Sequence, residues 1–247
     1  SDMMMAYEAY LKNNGVSPNS SSFYMRNLRA VYNRAVEKGL TSQRFPFKHV
    51  YTGVEKTVKR AVPLKVIKRI KEMDFSMNPS FDFARDMFLM SFYTRGMSFV
   101  DMAYLRKKDL QNGVLSYRRR KTGQQLFIKW EKCMQEIVDK YDTSQSNYLL
   151  PIIKPFGDID ERTQYIYAAH NINRCLKIIG KELGLSVSLT LYVARHAWAS
   201  IAKSKNVPLS VISEGMGHDS EATTRIYLAS LDTVAIDKAN SRILKSL

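Results

Sequence analysis

Strand pairing has one foothold in this chain. The segments Gly113-Val114-Leu115-Ser116-Tyr117 and Leu126-Phe127-Ile128 flank the turn Lys121-Thr122-Gly123 and read as a β-hairpin. Elsewhere apolar residues recur at helical spacing or fade into loops, which leaves too little strand for a doubly wound sheet. The expected fold is mainly α with a small antiparallel β-sheet, an α+β arrangement. Helices are expected over residues 3–14 and 18–38, from Pro63 with Leu64, Ile67, Ile70 and Met73 on one face, and over 81–93, 130–141, 163–183, 191–204, 210–216 and 233–244.

The chain divides by organisation. In the second helix Phe23, Leu28, Val31, Tyr32 and Ala35 fall at helical spacing, Ser17-Pro18 offers a cap, and Gly39 a stop. Its other face carries Arg26, Arg29, Arg34 and Lys38, either a solvated surface or one that contacts phosphates. Periodicity then fades toward the basic stretch Lys56, Lys59 and Arg60, whose charge suits a strap on a nucleic-acid backbone. The expected division is a helical domain over residues 1–57, a linker over 58–62 and a second domain over 63–247. Ser1-Asp2-Met3 reads as a cloning remnant, which would place residue 1 inside a longer natural chain.

Charge narrows the partner. The 38 Lys and Arg residues exceed the 23 Asp and Glu, a net charge of +15. Such an excess favours a polyanion, because each phosphate neutralised releases condensed counterions. No apolar run is long enough to span a membrane, and no secretory leader pattern opens the chain. Cys133 and Cys175 lack metal-ligand spacing and read as ordinary reduced, buried thiols. A cytoplasmic protein without metal or cofactor is expected.

The chemistry concentrates near the C-terminus. In GMGHDSEATTRIYLAS, Tyr227 stands nine residues after His218, downstream of Arg195-His196. A tyrosine that attacks a phosphodiester needs fixed donors for the charge on the non-bridging oxygens, ideally arginine forks. It also needs an acid for the leaving 5′ oxygen and help for a phenol whose ordinary pKa is about 10. Arg95, Lys121, Arg195, His218 and Tyr227 supply these groups in order.

That order resembles the tyrosine recombinases, the integrase family that cuts and rejoins DNA through a 3′-phosphotyrosine. GMGHDSEATTRIY is similar to the family's Gly-His segment and Thr-x-x-Tyr ending, ARHAWAS to its second arginine box, and TRGMSFVDMAYLRKKDL to its first. The boxes span about residues 62–240, and residues 1–57 are similar to the end of the family's SAM-like core-binding domain. The resemblance implies Tyr227 as nucleophile, Arg195 as a phosphate clamp, His218 as a donor to the phosphate or phenol, and Lys121 as general acid. Arg118, Arg119 and Arg120 crowd Lys121 and join Arg26, Arg29, Lys59 and Arg60 as expected DNA contacts.

Two departures from the family pattern stand out. Tyr192 occupies the position three before Arg195 where a histidine is usual, and a phenol cannot hold a proton near neutrality as imidazole does. Ser98 falls where the first arginine is expected, leaving Arg95, about one helical turn earlier, as the candidate clamp. The RGMSFVDMAYL pattern resembles integrases of conjugative transposons. Asp101 is expected to brace the arginines, since a carboxylate beside the scissile phosphate would repel it. The resemblance further implies double-stranded DNA as partner, a homotetramer on two duplexes, accessory DNA-bending proteins, and a bacterial, nucleoid-associated setting. The stretch from Asp232 to Leu247 is read either as a segment that docks on a neighbouring subunit or as packing on its own domain. A DNA-binding regulator and a type IB topoisomerase stay open as alternatives.

Overall fold

The computed structural model describes residues 2–55, 61–155, 158–228 and 244, with the backbone alone at Ile226 and Tyr227. Lys59, Arg60 and nearly all of 233–247 therefore lie outside the described residues. The chain forms two compact units, residues 1–58 and 59–247.

The first unit holds α1 (Asp2–Asn13) and α2 (Pro18–Glu37). Ser17 caps α2 by accepting the Ser20 amide, and Pro18 opens it. At its end Gly39 turns left-handed at φ +69, so that its N–H reaches Val36 O and the Leu40 N–H reaches Ala35 O. Leu11, Met25, Phe47 and Val50 form the core, with Tyr7 and Tyr32 packed on it.

This core corrects the expected face of α2. Phe23, Leu28 and Val31 point to solvent, and the buried side is Ser21, Ser22 and Met25. The serines are small enough to let the 42–53 segment lie against the helix. Ser22 Oγ donates to Gly53 O at 2.5 Å, and the Tyr32 hydroxyl donates to Ser42 O at 2.9 Å while accepting the Arg44 amide at 2.8 Å.

The second unit is built on α4 (Pro79–Tyr93), which packs against α3 (Leu64–Glu72), α6 (Lys132–Asp139), α7 (Glu161–Glu182) and α8 (Leu191–Ser204). With neighbours on so many sides α4 is apolar nearly all round, burying Ala84, Met87, Phe88, Leu89 and Met90. Its one buried carboxylate, Asp86, accepts from Arg85, from Lys140 Nζ at 2.8 Å and from the Tyr141 hydroxyl at 2.8 Å, which clips the end of α6 to α4. Cys175 is buried and Cys133 half-buried.

Between α4 and α6 lie α5 (Phe99–Ala103) and an antiparallel sheet of β1 (Leu110–Gln111), β2 (Val114–Arg118) and β3 (Gln125–Lys129). The pairs Leu115↔Ile128 and Tyr117↔Leu126 face the core, while Phe127 faces out. The expected hairpin is thus present with a third strand. That strand and α5 are too short to carry a periodic signal.

Beyond α8 follow α9 (Leu209–Gly215) and α10 (Glu221–Leu228). A satellite core of Ala199, Ala202, Ile212, Met216 and Leu228 joins these three helices. Among the described residues no helix is long and apolar enough to cross a membrane.

Candidate active site

Arg195 lies in the second turn of α8 and is buried to 4% exposure. Nη1 donates to Gly96 O and Nη2 to Met216 O, both at 2.7 Å, and Nη2 also lies 2.9 Å from His218 Nε2. A guanidinium only donates, so Nε2 carries the lone pair and the imidazole proton sits on Nδ1, 2.6 Å from Thr224 Oγ1. Burial, and then the charges of Arg195, Arg119 and Lys121, lower the His218 pKa from 6.5 to about 4. His218 is therefore neutral at physiological pH.

The turn between α4 and α5 lies directly on α8. Gly96 has φ +75, and a Cβ there would fall 2.7 Å from Arg195 Cα and 2.8 Å from its Cγ. Arg95 is also left-handed, at φ +61, a conformation that costs a non-glycine residue about 1 kcal/mol or more. Its Cδ lies 3.6 Å from where a Cβ on Gly215 would stand, beside the end of α9 whose Met216 carbonyl holds Arg195. Arg95 and Arg195 thus converge on one corner of the unit.

Ser98 caps α5, and its hydroxyl donates to Asp101 Oδ2 at 2.6 Å. The other Asp101 oxygen accepts the Arg120 amide at 2.9 Å, so this buried carboxylate braces the backbone of the hairpin turn. The neighbouring Tyr117 phenol has its pKa raised, first by burial and then by Asp101, and stays protonated.

The basic run at the hairpin splits by direction. Arg118 is exposed and donates to Gly123 O at 2.7 Å, Lys121 is exposed on the turn, and Arg120 lies 3.9 Å over the Tyr104 ring. Arg119 is different: it is 8% exposed, and its guanidinium donates to Gly217 O. In the first unit Arg26 and Arg29 are exposed, the latter donating to Thr52 Oγ1 at 3.2 Å.

Tyr192 is 58% exposed and meets the buried His196 edge-on, with ring centroids 4.5 Å apart. Tyr227 lies in α10. That helix is held by Thr224, fully buried three residues before Tyr227, and by Leu228, buried immediately after it. Thr224, Gly96 and Arg119 have roles that sequence reasoning missed, Arg119 being turned inward onto Gly217 O where a DNA contact was expected. The Thr-x-x-Tyr ending contained the first without showing its bond to His218.

Comparison with known proteins follows the same lines. The phage integrase family matches residues 63–233, and the phage integrase SAM-like domain matches residues 1–50. No curated protein matches the chain. Among solved structures, XerH site-specific recombinase bound to palindromic difH substrate superposes with a TM-score of 0.71 at 15% identity, over 96% of this chain and 71% of that one. Lambda integrase, as a dimer on a COC′ core site and as a tetramer on a Holliday junction, gives a TM-score of 0.67 at 15% identity over 91% of this chain. The chain spans 63% of the length of those integrase chains. The Tn1549 transposon integrase in complex with transposon right end DNA gives 0.62 at 15% identity, covering 91% of this chain and 79% of that one. At such identities these likenesses show the fold, while the family match covers more than half of the sequence: the chain belongs to the phage integrase family.

Proposed function

We propose that this protein is a site-specific DNA recombinase that cuts and rejoins strands through a phosphotyrosine at Tyr227, serving integration or excision of a mobile element. The observation that carries the reading is one shared corner. Arg195, Arg95 and His218 converge there, and Thr224 ties the helix bearing Tyr227 to His218.

In this mechanism the two arginines bind the non-bridging oxygens of the scissile phosphate. The Tyr227 phenol oxygen attacks phosphorus, and neutral His218 offers Nε2 to its proton once Arg195 turns to the phosphate. The bond to the 5′ oxygen breaks as Lys121 gives that oxygen a proton. The phosphodiester energy is kept in the phosphotyrosyl bond, and a 5′ hydroxyl from a second duplex attacks it in reverse. Tyr192, exposed one turn before Arg195, hydrogen-bonds the phosphate without serving as acid or base.

A core-binding domain at residues 1–57 and a catalytic domain at 63–247 each bind double-stranded DNA in this reading. Arg26, Arg29, Lys59, Arg60, Arg118 and Arg120 contact the backbone. Lambda integrase is a tetramer on a Holliday junction, which supports a homotetramer on two duplexes here. Accessory DNA-bending proteins and the nucleoid of a bacterial cytoplasm fit that assembly. The conjugative-transposon reading rests on the RGMSFVDMAYL run.

The test is a nicked suicide duplex carrying candidate attachment sites, incubated in chelator with wild type and Tyr227→Phe and resolved on a denaturing gel. A covalent adduct with wild type alone is expected. Tight binding to a verified site with no adduct would instead make the protein a DNA-binding regulator, and relaxation of supercoils without exchange would make it a topoisomerase.

A further inference from the structure

Among the described residues, Arg119 is a buried cation to which the proposed phosphate chemistry gives no direct role. It opens the hairpin turn: its amide donates to Gln124 O at 2.8 Å, and its carbonyl accepts the Gly123 amide at 2.7 Å. Lys121 sits inside that closed loop. The Arg119 guanidinium leaves the hairpin and donates to Gly217 O, the carbonyl immediately before His218. Thr122 Oγ1 approaches the same oxygen at 3.5 Å. Gly217 is closely packed against the hairpin, since a Cβ would meet Leu126 Cδ1 at 2.9 Å, Arg119 Cδ at 3.1 Å and Gln124 Oε1 at 3.4 Å.

Two consecutive carbonyls, those of Met216 and Gly217, are therefore gripped by arginines of two different elements, Arg195 on α8 and Arg119 on the hairpin. A carbonyl does not neutralise a guanidinium. Burying a cation against one is a poor route to stability, and an apolar side chain would fill the same space at less cost. Lasting registration of two loops is what the arrangement does provide.

We propose that Arg119 is a positioning residue that locks the Lys121 turn against the His218 loop, so that the proton donor for the 5′ oxygen stands in register with the phosphate site. This rests on Lys121 as the acid. When the latch is lost, Lys121 keeps its charge and loses its place, and the step that suffers is protonation of the leaving oxygen.

A substrate with sulfur in place of the 5′ bridging oxygen tests this, because a thiolate leaves without a proton. The probe is a nicked duplex that wild type cleaves, made in oxygen and sulfur forms, with adduct rates measured for wild type, Lys121→Ala, Arg119→Gln and Arg119→Lys. The sulfur-to-oxygen ratio is taken within one preparation, so any loss of folded protein cancels. Loss of general acid catalysis slows such steps by about 100-fold or more. Lys121→Ala is expected to show that loss on oxygen and near wild-type rates on sulfur. Arg119→Gln should show the same pattern at about tenfold or more, with Arg119→Lys intermediate. Rescue of Lys121→Ala but equal slowing of Arg119→Gln on both substrates would overturn the inference. Failure of sulfur to rescue Lys121→Ala would overturn the acid assignment beneath it.

Discussion

Replacing Gly96 by alanine puts two separable costs on the active site. The first is conformational: φ +75 is left-handed, and a Cβ there costs about 1–2 kcal/mol. The second is steric. The new methyl would stand 2.7 Å from Arg195 Cα, 3.0 Å from its Cβ and 2.8 Å from its Cγ, so it strikes the root of the side chain and not its flexible end. Overpacking of this kind costs about 1–3 kcal/mol, giving roughly 2–5 kcal/mol in all. Gly184→Ala is the control, since Gly184 has φ +68 and nothing within 4 Å of its Cβ position. It should lose about 1–2 kcal/mol, a shift of roughly 2–8 °C for a unit of this size, and Gly96→Ala should lose more. In the proposed mechanism the clash also pushes Arg195 from the phosphate, and a misplacement of about 1 Å costs on the order of 100-fold in rate. Thermal melts and adduct formation on a suicide duplex read the two effects separately. Equal melting of the two variants, with Gly96→Ala cleaving at the wild-type rate, would refute the packing of the α4–α5 turn on α8.

Thr224→Val removes the partner of His218 Nδ1 while keeping side-chain volume, so adduct formation should slow by about 10- to 100-fold with little change in melting temperature. Asp86→Asn takes the buried carboxylate from Arg85 and Lys140, both of which keep Asp82, so it should destabilise by about 2–3 kcal/mol, less than the roughly 3–5 of a charge left without any partner, read by urea unfolding, while leaving cleavage per folded molecule intact. His218 adds a pH slope. Its folded pKa of about 4 lies below the ordinary 6.5, so the unfolded chain takes up the proton first. The stability tied to neutral His218 is complete above about pH 6.5 and is lost as pH falls toward 4. The urea midpoint should drop across that window in wild type and by less in His218→Asn.

What the sequence shows in advance follows from the physics of each element. The span of α8 is readable residue for residue because a run from Leu191 to Ser204 has a clear helical period. The α2 face is misread because two small serines, not the larger Phe23 and Leu28, let the following segment approach. Arg119 hides inside Arg118-Arg119-Arg120, although strand alternation already carries the signal: Leu115 and Tyr117 point inward, and Arg119 continues that side. The grip of Arg195 on Gly96 O and Met216 O joins residues far apart in the chain, and no local pattern encodes it. The order of the boxes nominates candidates for the site, whereas the folded chain supplies their hydrogen-bond partners.

The most direct test of the central claim is to trap the covalent complex, digest it with nuclease and trypsin, and locate the nucleotide by tandem mass spectrometry. Cleavage after Arg225 and Lys238 yields the peptide 226–238, in which Tyr227 is the sole tyrosine. The account predicts a 3′-phosphodiester on Tyr227 in that peptide. Linkage to any other residue, or a 3′ phosphate left free on the DNA, would contradict it.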